Sequence, residues 1–481
     1  MKREINNLRM SRLEVLSKEE IKRIHGESLT ILEETGVKIL DEDTLRMLSR
    51  SGVDVDFNNN LARFPESLVK EALRSCPKSF IALNRDKENG VKIGGDSIYI
   101  VSGFYASYVL KGGKRMRGTV EDVANFAKIA DCLKNINAVG VEVLPQDVPA
   151  HVSELYACYA MLDNTTKHLF FSPNTQFSAK GLVEIIKTFT GEEDLLKTQI
   201  VTFQSSPTSP LTWERDSLGV LIESSKAGIS CNILPEPLAG ATSPITLAAV
   251  LLVHNAEFLS GLVISHLVRK GVPVIYGYSP TIFDMREVSP IIASPETIAL
   301  RIAHAQIGRF YGLPVHCIAP DSDAHCHDEQ LAWEKIITFF AALNSGVNIL
   351  INSGMFSTGL VASYEQLVID DEIIGFLLRV IKGIEVTTET LAVDLIRKVG
   401  PRGHFLNQMH TLRHLRTEYW FPELSNRATY DNWLRKSGKD IVTKAREKAS
   451  KYLKEHKAPE LSQENKRKIQ EIIKKFEKMK S

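Results

Sequence analysis

From Thr119 onward the sequence keeps one rhythm, in which a helical pattern gives way to a short unbroken apolar run and then to helix again. The runs are 138–144, 168–172, 199–204, 230–234, 272–278, 314–319 and 347–352. Runs without polar alternation suit parallel strands buried on both faces, and strand–helix units repeated in one stretch either close into a (β/α)8 barrel or spread into a doubly wound sheet. The barrel is the preferred reading, an α/β fold of the TIM type whose eighth strand is not located. A chain of 481 residues with 43% hydrophobic content can bury such a core and still carry extensions.

The flanks read differently. Residues 1–90 form an N-terminal helical region, with an amphipathic run opened by Ser17-Lys18-Glu19-Glu20 and shorter ones opened near Asp41 and Pro65. Residues 91–118 read as a β-hairpin insert, because 97–101 and 107–110 are β-rich and Gly112-Gly113 is a turn signal. The barrel region is 119–400, where Thr119 and Asp122 fit a capping box, and 401–481 is a C-terminal helical extension whose Lys/Glu-rich last helix is read as solvated.

Composition narrows the partners. Lys plus Arg number 59 against 58 Asp plus Glu, so a net charge of +1 gives no long-range attraction to nucleic acid or to an anionic membrane. The first twenty residues carry charges with no apolar stretch behind them, so no secretory signal is expected and the setting is read as cytoplasmic. The most apolar stretch, 245–268, is interrupted by His254, Asn255, Glu257 and His266, which suits a buried helix better than a lipid core. His254 and Glu257 lie near each other on that helix and are read as a buried hydrogen-bonded pair. Six scattered cysteines without a CxxC pair read as reduced and mostly core.

Nearly every apolar run ends in polar or aromatic residues with proline or glycine, among them Gln204 to Pro207, Pro235-Glu236-Pro237, Tyr276 to Pro280, Asp321-Ser322-Asp323 and Asn352-Ser353-Gly354. In a barrel these ends converge on one rim, where active sites of the fold lie. The stretch from His316 to Asp328 is the most chemically loaded, holding His316, Cys317, Asp321, Asp323, His325, Cys326 and His327. A zinc site needs about four converging ligands, and His325 with His327 lacks the helical i, i+4 spacing, so loop capping and substrate hydrogen bonding are preferred and no metal is assigned. Asp323-Ala324-His325 imitates the start of the DxHxxG pattern that binds cobalt, but Asp328 stands where glycine is required.

Aromatic residues form a second constellation: Phe104, Tyr105 and Tyr108, then Tyr276 and Tyr278, then Phe356. A quaternary ammonium has no N–H to donate, so it is held by apolar fit and by facing rings, each contact contributing roughly 0.5–2 kcal/mol. Tyr276 and Tyr278 share strand parity, so both face the lumen or neither does. No GxSxG elbow, Walker loop or GxGxxG after a strand is present.

Taken in order, VEVLPQDVP at 141–149, LAGATSPITLA at 238–248, HNAEFLSGLV at 254–263, GVPVIYGYSP at 271–280, SPETIAL at 294–300, SDAHCHDEQ at 322–330, EQLVIDDEI at 365–373 and VGPRGHFL through HTLRH at 399–414 resemble the trimethylamine methyltransferase superfamily. The resemblance, which also includes Gly-Phe-Tyr at 103–105, runs from about Leu32 to about Tyr452. It implies a barrel that methylates the reduced cobalt of a separate corrinoid protein, which feeds a second methyltransferase acting on tetrahydrofolate or coenzyme M. The founding members insert pyrrolysine near the region matching Cys317 to Asp321, where this chain has standard residues, so it resembles the pyrrolysine-free members acting on betaines and carnitine. Family loops often carry lysine where His325 stands.

The expectation is therefore a methyltransferase moving a methyl from a small quaternary amine, glycine betaine-like, to cob(I)alamin carried by a partner corrinoid protein, with no tightly bound cofactor of its own. Asp321, Asp323, His325 and His316 are the catalytic candidates, and Phe104, Tyr105, Gln204, Tyr276, Tyr278, Asn352 and Phe356 the substrate-binding ones. A homo-oligomer is expected. A zinc-activated methyltransferase using residues 316–328 and a non-catalytic betaine-binding protein are the alternatives. The Arg- and aromatic-rich stretch from Gly400 is read either as the corrinoid-protein docking surface or as cement for the C-terminal helices.

Overall fold

The computed structural model describes residues 11–479, so the first ten residues, read above for a leader, lie outside it. Its centre is a parallel barrel whose strands follow one another in chain order: β1 (Tyr99–Ser102), β2 (Ala138–Gly140), β3 (His168–Phe171), β4 (Val201–Ser205), β5 (Ser230–Ile233), β6 (Val274–Tyr276), β7 (His316–Ile318) and β8 (Ile349–Ser353). β8 pairs with β1 in register Ile349 to Tyr99. The seam between β6 and β7 closes through a parallel bridge of Tyr276 with Val315, and the Tyr276 amide donates to Pro314 at 2.8 Å.

Each strand is followed by a helix: α1 (Val120–Cys132), α2 (Ser153–Asn164), α3 (Gln176–Thr190), α4 (Arg215–Ala227), α5 (Leu247–Val268), α6 (Pro295–Phe310), α7 (Glu329–Ser345) and α8 (Tyr364–Ile381). Local chemistry fixes their ends. Thr119 and Asp122 make the expected capping box on α1, Thr175, Ser294, Asp328 and Ser363 cap α3, α6, α7 and α8, and Gly191, Gly228 and Gly346 end α3, α4 and α7 in the left-handed conformation. α5 is long and apolar enough to cross a membrane by length and composition, and it lies largely buried in the helix layer.

Seven strands lie in the predicted runs, with Ser205 and Ser353 extending β4 and β8 one residue past them. The eighth is β1, which the sequence reading assigned to the antiparallel insert; it is instead a parallel barrel strand between β2 and β8. Its main ladder partner lies some 250 residues away, so only the nearby turn at Gly112-Gly113 was legible. The hairpin proper is Tyr108–Lys111 with Lys114–Arg117, joined to Val361–Ala362 and Met355–Phe356 above the strand ends. The helices expected in the first ninety residues are present, Lys18–Thr30, Glu42–Arg50 and Glu66–Ser75, but short strands run between them. A further hairpin, Phe80–Leu83 with Gly90–Ile93, plugs the floor of the barrel, where Phe80, Ala82 and Ile93 pack against Tyr99, Val101 and Ile349.

The last helix, Gln463–Lys478, corrects the solvated reading: its charged residues occupy one face while Ile469, Ile472, Ile473 and Phe476 are buried on the other, against α3 and α2. Ile441–Glu455 packs on α8 and α1. Between α8 and that helix runs an arm whose helices, Thr388–Leu391, Val393–Val399, Met409–Glu418 and Tyr430–Arg435, bury no residue.

Candidate active site

Strand alternation sends one set of side chains into the lumen, and the lumen has two unlike walls. On β3, β4 and β5 the wall is polar. His168 bonds the Leu83 carbonyl at 3.1 Å and the Thr202 hydroxyl at 2.9 Å, and Thr202 bonds Ser230 at 2.9 Å. One layer higher the Asn232 amide donates to Gln204 at 2.9 Å. The opposite wall is apolar, with Val101, Ile275, Ile349 and Ile351 joined by Phe170 and Phe104. Phe104 meets Phe170 edge to face at 5.4 Å, and Phe170 stacks on His316 at 6.2 Å. His316 is fully buried, neither ring nitrogen has a protein partner, and burial pushes its pKa down to about 3. It is therefore a neutral imidazole inside the lumen.

Above the polar wall sits a carboxylate that sequence reasoning did not single out. Glu236 follows β5, flanked by Ser206 after β4 and Ser279 after β6, and each serine hydroxyl donates to one carboxylate oxygen at 3.2 Å. These positions continue the inward parity of Gln204, Asn232 and Ile275. Glu236 is open to solvent though set among the strand-end loops; burial raises its pKa, and the Ser279 and Ser206 hydroxyls oppose that rise. The signal was present as an acid between two prolines at a strand end, but it read as a strand stop.

The β7 and β8 ends are built quite differently. Asp321 forms an ion pair with Arg301 of α6 at 2.5 Å and accepts from the Asn352 amide at 2.8 Å, both acid and base being sealed from solvent. Asp323 accepts the backbone amides of Ile292 and Ala293 at 3.2 and 2.9 Å and the Thr358 hydroxyl at 2.9 Å. Lys335 of α7, fully buried, pairs with Asp370 of α8 at 2.8 Å and donates to the Pro320 and Asn352 carbonyls. Asp370 also accepts the Gly354 amide at 2.6 Å. Asn352 holds φ at 92°, a left-handed conformation tied down by these bonds. This arc is a brace in which the named acids and Lys335 all have protein partners.

The remaining predicted residues separate. Phe104 and Gln204 line the lumen. Tyr105 lies beside Phe104, with its hydroxyl donating to Glu154 at 2.8 Å. Tyr276 and Tyr278 do share parity, but that parity turns both rings into the helix layer: Tyr276 stacks on His304 at 4.4 Å and donates to Asn255 at 2.9 Å, and Tyr278 donates to the Thr297 carbonyl at 3.1 Å. Their placement corrects the expectation of a lumen cage built on β6, whose inward residue is Ile275. Phe356 is buried beneath the hairpin with Val361 and Leu331. His325 is exposed and bonds Ser357 at 2.7 Å. The chemically loaded stretch thus disperses, His316 to the lumen and His325 to the surface, and no group of three or more His, Cys, Asp or Glu converges as a metal-binding set among the described residues. His254 and Glu257 likewise bond elsewhere, His254 to the Gly277 carbonyl at 2.7 Å and Glu257 to Ser209 and the Leu211 amide.

With this geometry in place, comparison with known proteins adds the following. The sequence profile of the trimethylamine methyltransferase (MTTB) family matches residues 2–480. The chain is 35% identical over 412 residues to a glycine betaine methyltransferase of Desulfitobacterium hafniense, covering 84% of this chain and 85% of that one. It is 33% identical over 433 residues to a trimethylamine methyltransferase of Methanosarcina barkeri, covering 88% and 87%. Among solved structures it resembles the monomethylamine methyltransferase of Methanosarcina barkeri, with a TM-score of 0.50 at 12% identity over 92% of this chain and 96% of that one, a likeness of fold alone.

Proposed function

The chain belongs to the trimethylamine methyltransferase family and is an amine methyltransferase, and from that premise we propose that it takes a methyl group from a small quaternary amine, glycine betaine-like, and delivers it to a corrinoid carried by a separate protein. The observation that carries the cationic substrate is Glu236, a carboxylate reachable at the barrel mouth above a lumen lined on one side by Phe104 and Phe170.

The chain's own residues divide the work. Phe104 and Phe170 offer ring faces and edges to N-methyl groups, each cation–π contact contributing roughly 0.5–2 kcal/mol. Glu236 supplies the opposite charge, which at about 4 Å and an effective dielectric of about 20 is worth roughly 4 kcal/mol before desolvation is subtracted. As the C–N bond breaks its electron pair stays on nitrogen, so the amine leaves neutral and no side chain has to deliver a proton. A corrinoid on a docked partner would supply the electron pair that takes the methyl carbon. The one stretch that imitates a cobalt-binding pattern is committed elsewhere: His325 bonds Ser357, and Asp328, where the pattern needs glycine, caps α7. The neutral, unpartnered His316 adds no competing charge to the lumen. Catalysis by such a site is orientation, which contributes roughly 7–11 kcal/mol in well-aligned systems.

The positive charge of the substrate fades as the methyl leaves, so Glu236 stabilises the bound amine more than the transition state. Glu236→Gln is expected to raise the Michaelis constant for a quaternary amine by about 10- to 100-fold, or roughly 1.4–2.8 kcal/mol, with kcat within severalfold of wild type. The ionised acid is the binding form, so affinity for the amine rises with pH through the Glu236 titration, and the variant loses that rise. Steady-state kinetics across pH decide the matter, and an unchanged Michaelis constant removes Glu236 from the site.

The arm supports the homo-oligomeric reading. It exposes Leu406 at 87%, Tyr430 at 71% and Leu412 at 67%, apolar side chains of the kind a second subunit covers. Arg379 and Lys382 donate to the Glu418 and Thr417 carbonyls, which attaches the arm at the end of α8 remote from the mouth. That attachment favours subunit association over corrinoid-protein docking for the stretch from Gly400.

A further inference from the structure

Two structures flank the barrel mouth, and they differ in chemistry. On the side of β1, β2 and β8 stands the hairpin Tyr108–Lys111 with Lys114–Arg117. It is held there because the Ser107 and Tyr108 amides donate to the Leu360 carbonyl, and the Gln146 side chain, beyond β2, donates to the Ser107 carbonyl at 2.7 Å. All four residues of its outer strand, Lys114, Arg115, Met116 and Arg117, are exposed, and that strand is the edge of its sheet. Arg115 lies over the Tyr108 ring at 5.3 Å, and Lys111 pairs with the buried Asp122. Lys114 and Arg117 make no ion pair among the described residues. This concentration of positive charge stands out on a chain whose net charge is +1.

On the side of β5 and β6 a three-stranded flap, Leu238–Ala239, Thr281–Asp284 and Ser289–Ile291, rises from the strand ends. Its turn and the neighbouring loop expose Ile245 at 66%, Met285 at 59% and Val288 at 73%. Ile245 and Met285 belong together, since both lie within 4 Å of the space a side chain at Gly240 would take. An apolar cluster and a cationic edge on either side of an opening make a surface with a contact core and an electrostatic guide.

We propose that these two elements are the docking surface for the corrinoid-carrying protein, which lays an acidic face on the hairpin and an apolar contact on the flap. The inference rests on the methyl-transfer reading above and says where the acceptor's carrier sits. Only a partner lying over the mouth brings an acceptor to an amine bound at Glu236, and the hairpin and the flap border that opening. Charge complementarity specifies the partner: Lys114 and Arg117 are exposed and make no ion pair among the described residues, and an acidic carrier would be steered onto the mouth at low ionic strength.

The test uses the full chain with each corrinoid protein of the same genome, expressed and loaded with cobalamin, as acceptor, and free cob(I)alamin as the protein-independent acceptor. The variants are Lys114→Glu with Arg117→Glu, and separately Met285→Glu with Val288→Glu; both change exposed side chains, and melting curves check the fold. The expected result is that the hairpin variant raises the apparent Michaelis constant for the carrier at least tenfold at low salt and flattens its salt dependence. The flap variant weakens the carrier at every salt concentration. Both keep the wild-type rate with free cob(I)alamin. If the hairpin variant saturates with carrier at the wild-type concentration, the docking proposal is overturned while the methyl-transfer reading stands. If wild-type protein methylates neither any carrier nor free cob(I)alamin from quaternary amines, that reading fails and the docking proposal falls with it.

Discussion

The barrel mouth has two arcs, one rich in charged groups and one with a single acid, and they use their charge in opposite ways. Across β7 and β8 the acids are answered by protein partners, Asp321 by Arg301, Asp370 by Lys335 and Asp323 by backbone amides, in the brace between strand ends and helices, although the Arg301 Nε and Nη1 groups find no acceptor there. Across β4 to β6 a single acid, Glu236, is held only by two serine hydroxyls and stays within reach of solvent. The lesson is that density of functional groups does not mark a site. A group whose bonding is complete within the protein has little left for a ligand, while one held weakly at the barrel mouth has most of its interaction free to give.

The largest effect that would sharpen this contrast is on stability. Lys335→Met leaves Asp370 buried without its partner and strips the Pro320 and Asn352 carbonyls of a donor, so it is expected to destabilise the fold by about 3–5 kcal/mol. Denaturant unfolding measures this. A variant that unfolds like wild type yet has lost turnover would make the β7–β8 arc catalytic and reverse the comparison.

A smaller effect concerns pH. Glu142 lies between the β1 and β8 ends, accepting the Gly103 amide at 2.6 Å, and burial pushes its pKa up to about 8 from 4.5. Between those values the folded state binds more protons than the unfolded one, so this group's stabilising contribution is full below about 4.5 and lost as pH rises toward about 8. The slope it adds is at most about 1.4 kcal/mol per pH unit. Glu142→Gln is expected to flatten stability between pH 5 and 7.5, measured by unfolding midpoints at fixed ionic strength. An unaltered slope in the variant would assign the dependence to the other carboxyls whose pKa burial raises, Glu257 (to about 7), Glu154 and Asp371 among them.

What the sequence disclosed follows from which interactions are local. Seven strands, the α1 capping box and the rim of polar strand ends were legible because each rests on neighbours along the chain. β1 was not, since its identity depends on pairing with Ile349 and Ala138, neighbours only in space. At the site, Gln204 and His316 were named from strand ends and Phe104 from beside the hairpin signal, and all three side chains border the lumen. Tyr276 and Tyr278 show the limit of parity: alternation says that two residues point the same way and nothing about which way, and here Gly277 and Ile275 take the inner side. Glu236 was passed over because its meaning lies in Ser206 and Ser279, which come from two other strands.

The smallest expected effect concerns His325, a residue the sequence marks strongly and the fold treats lightly. Its ring is exposed and makes one bond, to Ser357 at 2.7 Å, while the loop around it is independently fixed by Asp323 on two amides and by Asp328 capping α7. A partly exposed hydrogen bond contributes roughly 0.5–1.5 kcal/mol, and water replaces most of it when one partner is removed. His325→Ala should therefore lower stability by less than about 1 kcal/mol and leave kcat and the Michaelis constant for the amine within about twofold, since a tenfold change would require about 1.4 kcal/mol acting on the transition state. Kinetics at saturating acceptor, with a melting curve alongside, separate the two quantities. A fall in kcat of a hundredfold at unchanged stability would mean that the β7 loop folds inward during turnover, and the division between a bracing arc and a binding arc would then hold only for the resting barrel.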